Sequence, residues 1–334
     1  MTLQNRQLKL IARPVGLPKA SDFRLDVVPV QEPGEGEVLV RTHFLSLDPA
    51  MRGWMREGRS YVPPVGLGEV MRAGGAGEVL ESRDPNFQPG DFVVGMTGVQ
   101  EYAVLPAGSV TRADPLIAPL PTWLGALGMP GMTAYFGLIE VGALKDGETV
   151  VVSAAAGAVG SVVGQIAKIK GCRVIGIAGG ADKCAHVAGR LGFDAAIDYK
   201  SEDVTARLRQ LCPKGIDVYF DNVGGDILDA CLANLARGAR IPLCGAISQY
   251  NVTGPIKGPT NYMSLLVNRA RMQGFVVFDF YARYPEAVRA IAGWIAEGKL
   301  KPHEDIAVGG VEAFTPTLNR LFSGENLGKL VLKL

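Results

Sequence analysis

The stretch Ala154-Ala-Ala-Gly157-Ala-Val-Gly160-Ser-Val-Val-Gly164 follows a β-branched run, Thr149-Val-Val-Val-Ser153, and leads into a helical pattern over Val159–Lys170. Strand, glycine turn and helix in that order are the context of a dinucleotide-binding motif, whose usual fingerprint is G-x-G-x-x-G. Here Ala155 takes the first glycine place, and Gly157 and Gly160 take the second and third. A glycine at 157 lets the backbone approach a pyrophosphate, and one at 160 lets the helix pack closely on the strand. The helix N-terminus adds free N–H groups and the positive end of its dipole. The bland alternative is a small-residue strand–helix corner that binds nothing; the βαβ surroundings favour the binding site. Thr149–Ala167 carries no charged residue over 19 positions, long enough to resemble a membrane span. Its Ala, Gly and Ser content and Gln165 instead fit a buried strand running into a close-packed helix.

The same rhythm continues outward. Extended runs are expected at Arg173–Ala178, Ala195–Asp198, Ile216–Asp221, Arg240–Cys244 and Met272–Phe278. Helices are expected at Lys183–Leu191, Glu202–Leu211, Ile227–Ala236 and Pro285–Gly298. This is the pattern of a doubly wound parallel sheet, an α/β Rossmann domain. Before it, runs such as Val38–Thr42, Gly77–Leu80 and Asp91–Val94 are cut by turn pairs Pro33-Gly34 and Pro89-Gly90 at roughly ten-residue spacing, which predicts a small barrel or sandwich. The tail Lys329–Leu334 alternates like a half-buried strand that returns to this first part. The division expected is 1–128, completed by 303–334, and 129–302.

The end of the second sheet strand selects the coenzyme. NAD-binding sites place an acid there for the ribose hydroxyls, but Ala178 is followed by Gly179-Gly180-Ala181. Asp182 could be a ribose ligand placed late, but reads better as a helix N-cap. Lys183 can pair with a 2′-phosphate, and a charge-assisted hydrogen bond of about 1.5–3 kcal/mol gives roughly 10- to 150-fold preference. NADPH is therefore the expected cofactor.

Other chemistries lack their residues. Residues 1–128 hold no cysteine and one histidine, His43, which sits in a strand pattern; catalytic zinc is not expected. His186 and His303 have no metal-ligand spacing, and there is no G-x-S-x-G elbow or Walker lysine motif. With 34 Lys and Arg against 33 Asp and Glu and no basic block, nucleic acid and acidic membranes are not expected partners. Five cysteines without a CxxC read as reduced thiols in a cytoplasm. Met1–Pro18 has no apolar core, so no secretory signal is expected. Tyr61 and Tyr250 lie in loop-like sequence and are the candidate proton donors, although an isolated tyrosine is more often a packing residue.

Taken together, Leu127-Gly-Met-Pro-Gly-Met-Thr-Ala-Tyr135, the Ala155–Gly160 turn, Ala178-Gly-Gly-Ala-Asp-Lys183, Asp221-Asn-Val-Gly-Gly225, Cys244-Gly-Ala-Ile-Ser-Gln-Tyr250 and Gly324-Glu-Asn-Leu-Gly-Lys329 resemble the zinc-independent medium-chain dehydrogenases/reductases. More narrowly, they resemble the prostaglandin reductase and leukotriene hydroxydehydrogenase group, which includes bacterial curcumin reductase and plant alkenal double-bond reductases. The resemblance implies a GroES-like β-rich catalytic domain around a Rossmann domain. It also implies NADPH-dependent reduction of the carbon–carbon double bond of an α,β-unsaturated ketone or aldehyde. Hydride would go to the β-carbon, the enolate would be held by hydrogen-bond donors, and a proton would go to the α-carbon.

By the same resemblance Gly157, Ala158, Val159 and Gly160 would hold the pyrophosphate, and Lys183 and Tyr199 the 2′-phosphate. Asn222 would lie beside the cofactor. Cys244, Gly245, Ala246, Ile247, Ser248, Gln249 and Tyr250 would line its adenine and nicotinamide side. Phe275, Val276, Val277 and Asn326 would close over the nicotinamide. Tyr250 matches the tyrosine usually near substrate. Two places depart from relatives: Val267 stands where some have tyrosine, with Tyr262 out of register, and Ala50 follows Asp48-Pro49 where an aromatic residue is common. Both bear on substrate choice. A quinone reductase of the same superfamily, or a coenzyme-binding protein without turnover, are the alternatives. A homodimer is expected through paired sheet edges, with Gly274–Phe280 as the apolar stretch.

Overall fold

The valine-rich runs between proline–glycine turns become strands β1 (Gln4–Leu10), β2 (Phe23–Pro29), β3 (Glu37–Ser46), β4 (Gly75–Ser82), β5 (Phe92–Gly95), β6 (Tyr102–Pro106) and β7 (Thr111–Arg112), with a one-turn helix α1 (Met51–Trp54) after β3. In the computed structural model of the protein, which describes residues 3–334, β1 and β2 form an antiparallel ribbon. The long strand β3 is the spine of a second sheet. One edge pairs with β4. The other pairs with β6 along Glu37–Arg41, leaving Phe44–Ser46 for a strand from much later in the chain.

The chain then alternates. Helix α2 (Met129–Phe136) precedes β8 (Thr149–Ser153), α3 (Ala158–Ile169), β9 (Arg173–Ala178), α4 (Ala181–Ala185), β10 (Ala195–Asp198), α5 (Val204–Leu211), β11 (Ile216–Phe220), α6 (Gly225–Leu232), β12 (Leu235–Leu243), α7 (Met263–Asn268), β13 (Arg271–Gly274) and α8 (Tyr284–Ala296). The six strands are parallel and ordered β10-β9-β8-β11-β12-β13. This is the doubly wound order that turns back between its first and fourth strands, here β8 and β11. Val151, Ile175, Ile197 and Tyr219 fill its core, each buried. No helix among the described residues is long and apolar enough to cross a membrane. The uncharged stretch Thr149–Ala167 is β8 followed by the buried face of α3.

The last elements are β14 (Glu304–Val308), α9 (Phe314–Ser323) and β15 (Lys329–Lys333). Strand β15 lies between β14 and β3, pairing Val331–Lys333 with Phe44–Ser46. The chain divides into two units, Met1–Leu124 with Glu304–Leu334, and Gly125–His303.

Four local expectations are corrected. The tail is buried from Lys329 to Leu332, on both faces. Its Lys329 is 2% exposed; the ammonium donates to the Leu47 carbonyl at 2.8 Å and to Asp48 Oδ1 at 2.7 Å. The Ser46 hydroxyl donates to the other Asp48 oxygen. A lysine in an alternating pattern therefore marks a buried ion pair, not a wet face. The helix expected at Ile227–Ala236 is α6, Gly225–Leu232, and strand β12 already begins at Leu235, where the chain must enter the sheet beside β11. The strand expected at Met272–Phe278 ends at Gly274. Val277–Arg283 is a 3-10 helix, because Phe280 turns in to stack on Phe136 with ring centroids 4.8 Å apart. Asp182 is not a cap: Gly180 occupies the N-cap position and Asp182 lies in the first turn.

Candidate functional site

Ligands of doubly wound sheets bind outside the carboxyl ends of the strands where the strand order reverses. Here that place lies between the ends of β8 and β11, at Ser153 and Asp221. Both side chains are buried. The Asn222 amide donates to Ser153 Oγ at 2.9 Å, and its side-chain Nδ2 donates to the Ser153 carbonyl at 2.8 Å. Asp221 Oδ1 accepts from the Tyr219 hydroxyl at 2.7 Å, the Ser153 hydroxyl at 3.2 Å and the amides of Val223 and Gly224 at 3.0 and 2.9 Å. The other oxygen, Oδ2, is buried and has no hydrogen-bond partner among the described residues. Burial pushes the Asp221 carboxyl up, against the pull of these donors.

The backbone continues the same zipper. The Asp221 carbonyl accepts from the amides of Cys244 and Gly245, the Asn222 carbonyl from Ile247, and the Val223 carbonyl from Ser248. The Ser248 hydroxyl also donates to Val223 O at 2.6 Å. Asn222 and the Cys244–Tyr250 loop, named separately from the sequence, are thus one hydrogen-bonded rim. Within it the Ala246 amide donates to the Tyr250 hydroxyl oxygen at 3.1 Å, so the phenol folds back over its own loop. Burial pushes the Cys244 thiol up to about 12.

The glycine turn has a steric reason. A Cβ on Gly160 would stand 2.3 Å from the Ala154 carbonyl oxygen and 3.0 Å from the Ala155 Cα. Both are main-chain atoms, so only glycine allows α3 to start this close to the end of β8. A Cβ on Gly157 would meet nothing nearer than the same oxygen, at 3.2 Å. The open side of Gly157 is the cradle that a pyrophosphate would need, and the residues of the turn fit such a group. The backbone demand falls on Ala154, at φ +49°, one residue before the place the fingerprint assigns to glycine. Ala155 is buried.

At the end of β9, Tyr199 lies against Gly179, close enough that a Cβ at 179 would sit 2.7 Å from its ring. Lys183 stands on α4, which begins just after Gly180. The Gly180 amide is held by Asp198 at 2.7 Å. Phe275 packs its edge on Phe220, centroids 6.2 Å apart; Val276 lies at the N-cap position of the following 3-10 helix, and Val277 is buried at its start. In the first unit, Tyr61 is exposed and Asn326 is buried, donating to the Gly328 carbonyl at 3.0 Å. His43 Nε2 is 3.7 Å from Glu78, and burial lowers its pKa. No group of three or more His, Cys, Asp or Glu side chains among the described residues is arranged to hold a metal ion. Sequence reasoning passed over Ser153, Asp198 and the carboxyl of Asp221. Ser153 shows its role through Asp221 and Asn222, and Asp198 through Gly180, partners distant in sequence.

Residues 6–113 match the family model described as the N-terminal domain of oxidoreductase, and residues 158–293 match the model described as zinc-binding dehydrogenase. The chain is 45% identical to the NADPH-dependent curcumin reductase of Escherichia coli, over 99% of this chain and 97% of that one. It is 44% identical to the NADP-dependent 2-alkenal reductase of Nicotiana tabacum, again over 99% and 97%. Among solved structures, CurA from Vibrio vulnificus in complex with NADPH superposes with a TM-score of 0.92 at 45% identity, covering 98% of both chains.

Proposed function

The chain belongs to the zinc-independent medium-chain dehydrogenases/reductases, and from that footing we propose that it reduces the carbon–carbon double bond of α,β-unsaturated ketones and aldehydes with NADPH. The observation that most directly supports the coenzyme's seat is the turn at the strand-order reversal, where Gly160 packs against the Ala154 main chain and Gly157 stays open. When bound, NADPH supplies hydride for the β-carbon. The protein's part is to hold the pyrophosphate on the amides of Gly157–Gly160 and the 2′-phosphate on Lys183 and Tyr199. It must also keep the Asn222 and Cys244–Gln249 rim rigid against the nicotinamide, with Phe275–Val277 of the same unit beside it. Hydrogen-bond donors at the carbonyl oxygen then stabilise the developing enolate. Tyr250 is the proposed donor of the Gly125–His303 unit, its hydroxyl oxygen accepting from the Ala246 amide; Tyr61 is the candidate of the first unit.

Purified protein given NADPH with a panel of enals, cyclic enones, quinones and plain ketones is expected to yield saturated carbonyl products, unaffected by a chelator. Alcohol products, or activity lost on chelation, would overturn the reaction; faster NADPH oxidation with quinones than with any enone would replace the substrate class. Lys183→Ala is expected to cut the preference for NADPH over NADH by about 10- to 150-fold, the worth of one charge-assisted hydrogen bond. An unchanged ratio of kcat/KM values would remove Lys183 from the phosphate site.

We propose further that the protein works as a homodimer in the cytoplasm. Strand β13, Arg271–Gly274, is an edge of the parallel sheet, where two copies would pair across a two-fold axis, with the apolar stretch Gly274–Phe280 starting at its end. Its five cysteines are free thiols, which fits a reducing compartment.

A further inference from the structure

Strands β9 and β10 end side by side, with Asp198 opposite Ala178 in the parallel register. The Asp198 carboxylate collects three donors there. Oδ1 accepts the Gly180 amide at 2.7 Å and the Lys200 amide at 3.0 Å, and Oδ2 accepts the Ser201 hydroxyl at 2.8 Å. Gly180 has φ +98° and ψ 151° and occupies the N-cap position of α4, a backbone conformation open almost only to glycine. Fixing its N–H fixes where α4 begins, and hence where Lys183 stands. On the other side of this corner the missing side chain of Gly179 makes a slot. The Tyr199 ring fills it: a Cβ at 179 would lie 2.7 Å from Cε1 and 2.8 Å from Cζ and the hydroxyl oxygen. The Tyr199 amide donates to Ala178 O at 3.1 Å, holding its backbone in the same corner.

We propose that Asp198 and Gly179 are positioning residues for coenzyme preference: neither would touch the 2′-phosphate, and each holds one of the two residues that would. Asp198 sets the helix that carries Lys183, and Gly179 seats the ring of Tyr199. This rests on the reading of Lys183 and Tyr199 as the phosphate contacts. The sign of the effect is distinctive. A carboxylate beside a phosphate site repels the phosphate, so a purely Coulombic role for Asp198 predicts that removing it raises preference for NADPH. A positioning role predicts the opposite.

The test measures kcat and KM with NADPH and with NADH, using one enone, for wild type, Asp198→Ala, Asp198→Asn, Gly179→Ala, Tyr199→Ala, Gly179→Ala/Tyr199→Ala and Lys183→Ala. Asp198→Ala is expected to lower the NADPH preference by about tenfold, the worth of one hydrogen bond, mostly through KM for NADPH. Asp198→Asn keeps an acceptor for the Gly180 amide and is expected to recover most of that loss. Gly179→Ala is expected to displace the Tyr199 ring and lower the preference by about fivefold in the wild-type background, yet have no effect once Tyr199 is alanine, because the slot is then empty.

The inference is overturned if Asp198→Ala leaves the ratio unchanged or raises it, or if Gly179→Ala acts equally in both backgrounds. If Asp198→Ala fails to fold by circular dichroism, Asp198→Asn and the Gly179 series decide: loss of coupling between positions 179 and 199 overturns it. A Lys183→Ala ratio equal to wild type removes the phosphate site itself. A lowered ratio there with silent Asp198 and Gly179 variants removes only the positioning roles.

Discussion

Lys329→Met is expected to destabilise the first unit by about 3–5 kcal/mol, the usual cost of removing one partner from a buried ion pair. Lys329 and Asp48 are 2% and 6% exposed, and the ammonium reaches both the Asp48 carboxylate and the Leu47 carbonyl. Methionine matches the stem's volume but supplies no donor. The Asp48 charge would keep only the Ser46 hydroxyl. At about 2–4 °C per kcal/mol, the unfolding midpoint should fall by about 6–20 °C. The compensating prediction is sharper. Lys329→Met/Asp48→Leu removes both charges and should regain most of the loss, short of roughly 1 kcal/mol for the Ser46 hydroxyl left without its acceptor. Thermal denaturation of the three proteins checks this; a single variant within about 1 kcal/mol of wild type would mean that the pair is worth no more than a surface one.

The second large effect separates two glycines that look alike in the sequence. Gly160→Ala forces a methyl against the Ala154 main chain, where no side chain can yield. It should cost about 1–3 kcal/mol of stability through overpacking. By pushing α3 off the turn it should also lower NADPH affinity by about 100-fold, as two charge-assisted hydrogen bonds to the pyrophosphate are weakened. Gly157→Ala meets only the 3.2 Å contact, and its φ of −89° suits alanine. It should leave the melting temperature nearly unchanged while losing comparable affinity, because its methyl occupies the space of the pyrophosphate. Fluorescence titration with NADPH beside a melting curve distinguishes them. Undiminished affinity in Gly157→Ala would move the pyrophosphate elsewhere.

The parallel sheet was legible because its signal is local. Thr149–Ser153 and Arg173–Ala178 are runs rich in β-branched residues, with a glycine within four residues of each end, and the structure keeps both at those bounds. The role of Gly160 was legible for the same reason: spacing alone puts it at the strand–helix contact. What stayed hidden depends on partners far along the chain. Nothing near Lys329 announces Asp48, 281 residues away, and an alternating tail with lysines at both ends reads as half-wet. Asp198 looked like the last residue of a strand. Its hold on Gly180 exists only because β9 and β10 are neighbours, a fact of topology. Met272–Phe278 misled for another reason. Its aromatic and β-branched content is that of a strand, but Phe280 finds Phe136 and curls the chain into a 3-10 helix, so packing overrode propensity. Ser153 carried no signal in sequence, since a serine ending a strand has many ordinary uses.

The insertion of β15 between β14 and β3 sets a schedule for biosynthesis. At about 5–20 residues per second, the ribosome makes Asp48 about 15–60 s before Lys329. Through that interval the Phe44–Ser46 segment of β3 lacks the strand that covers it, and a buried carboxylate waits for its cation. The Rossmann unit, Gly125–His303, is contiguous and has its whole sequence available first. The nascent first unit is therefore the part most exposed to mispairing with other chains. Slowing release of the last segment should raise aggregation during expression far more than slowing any step within the central unit.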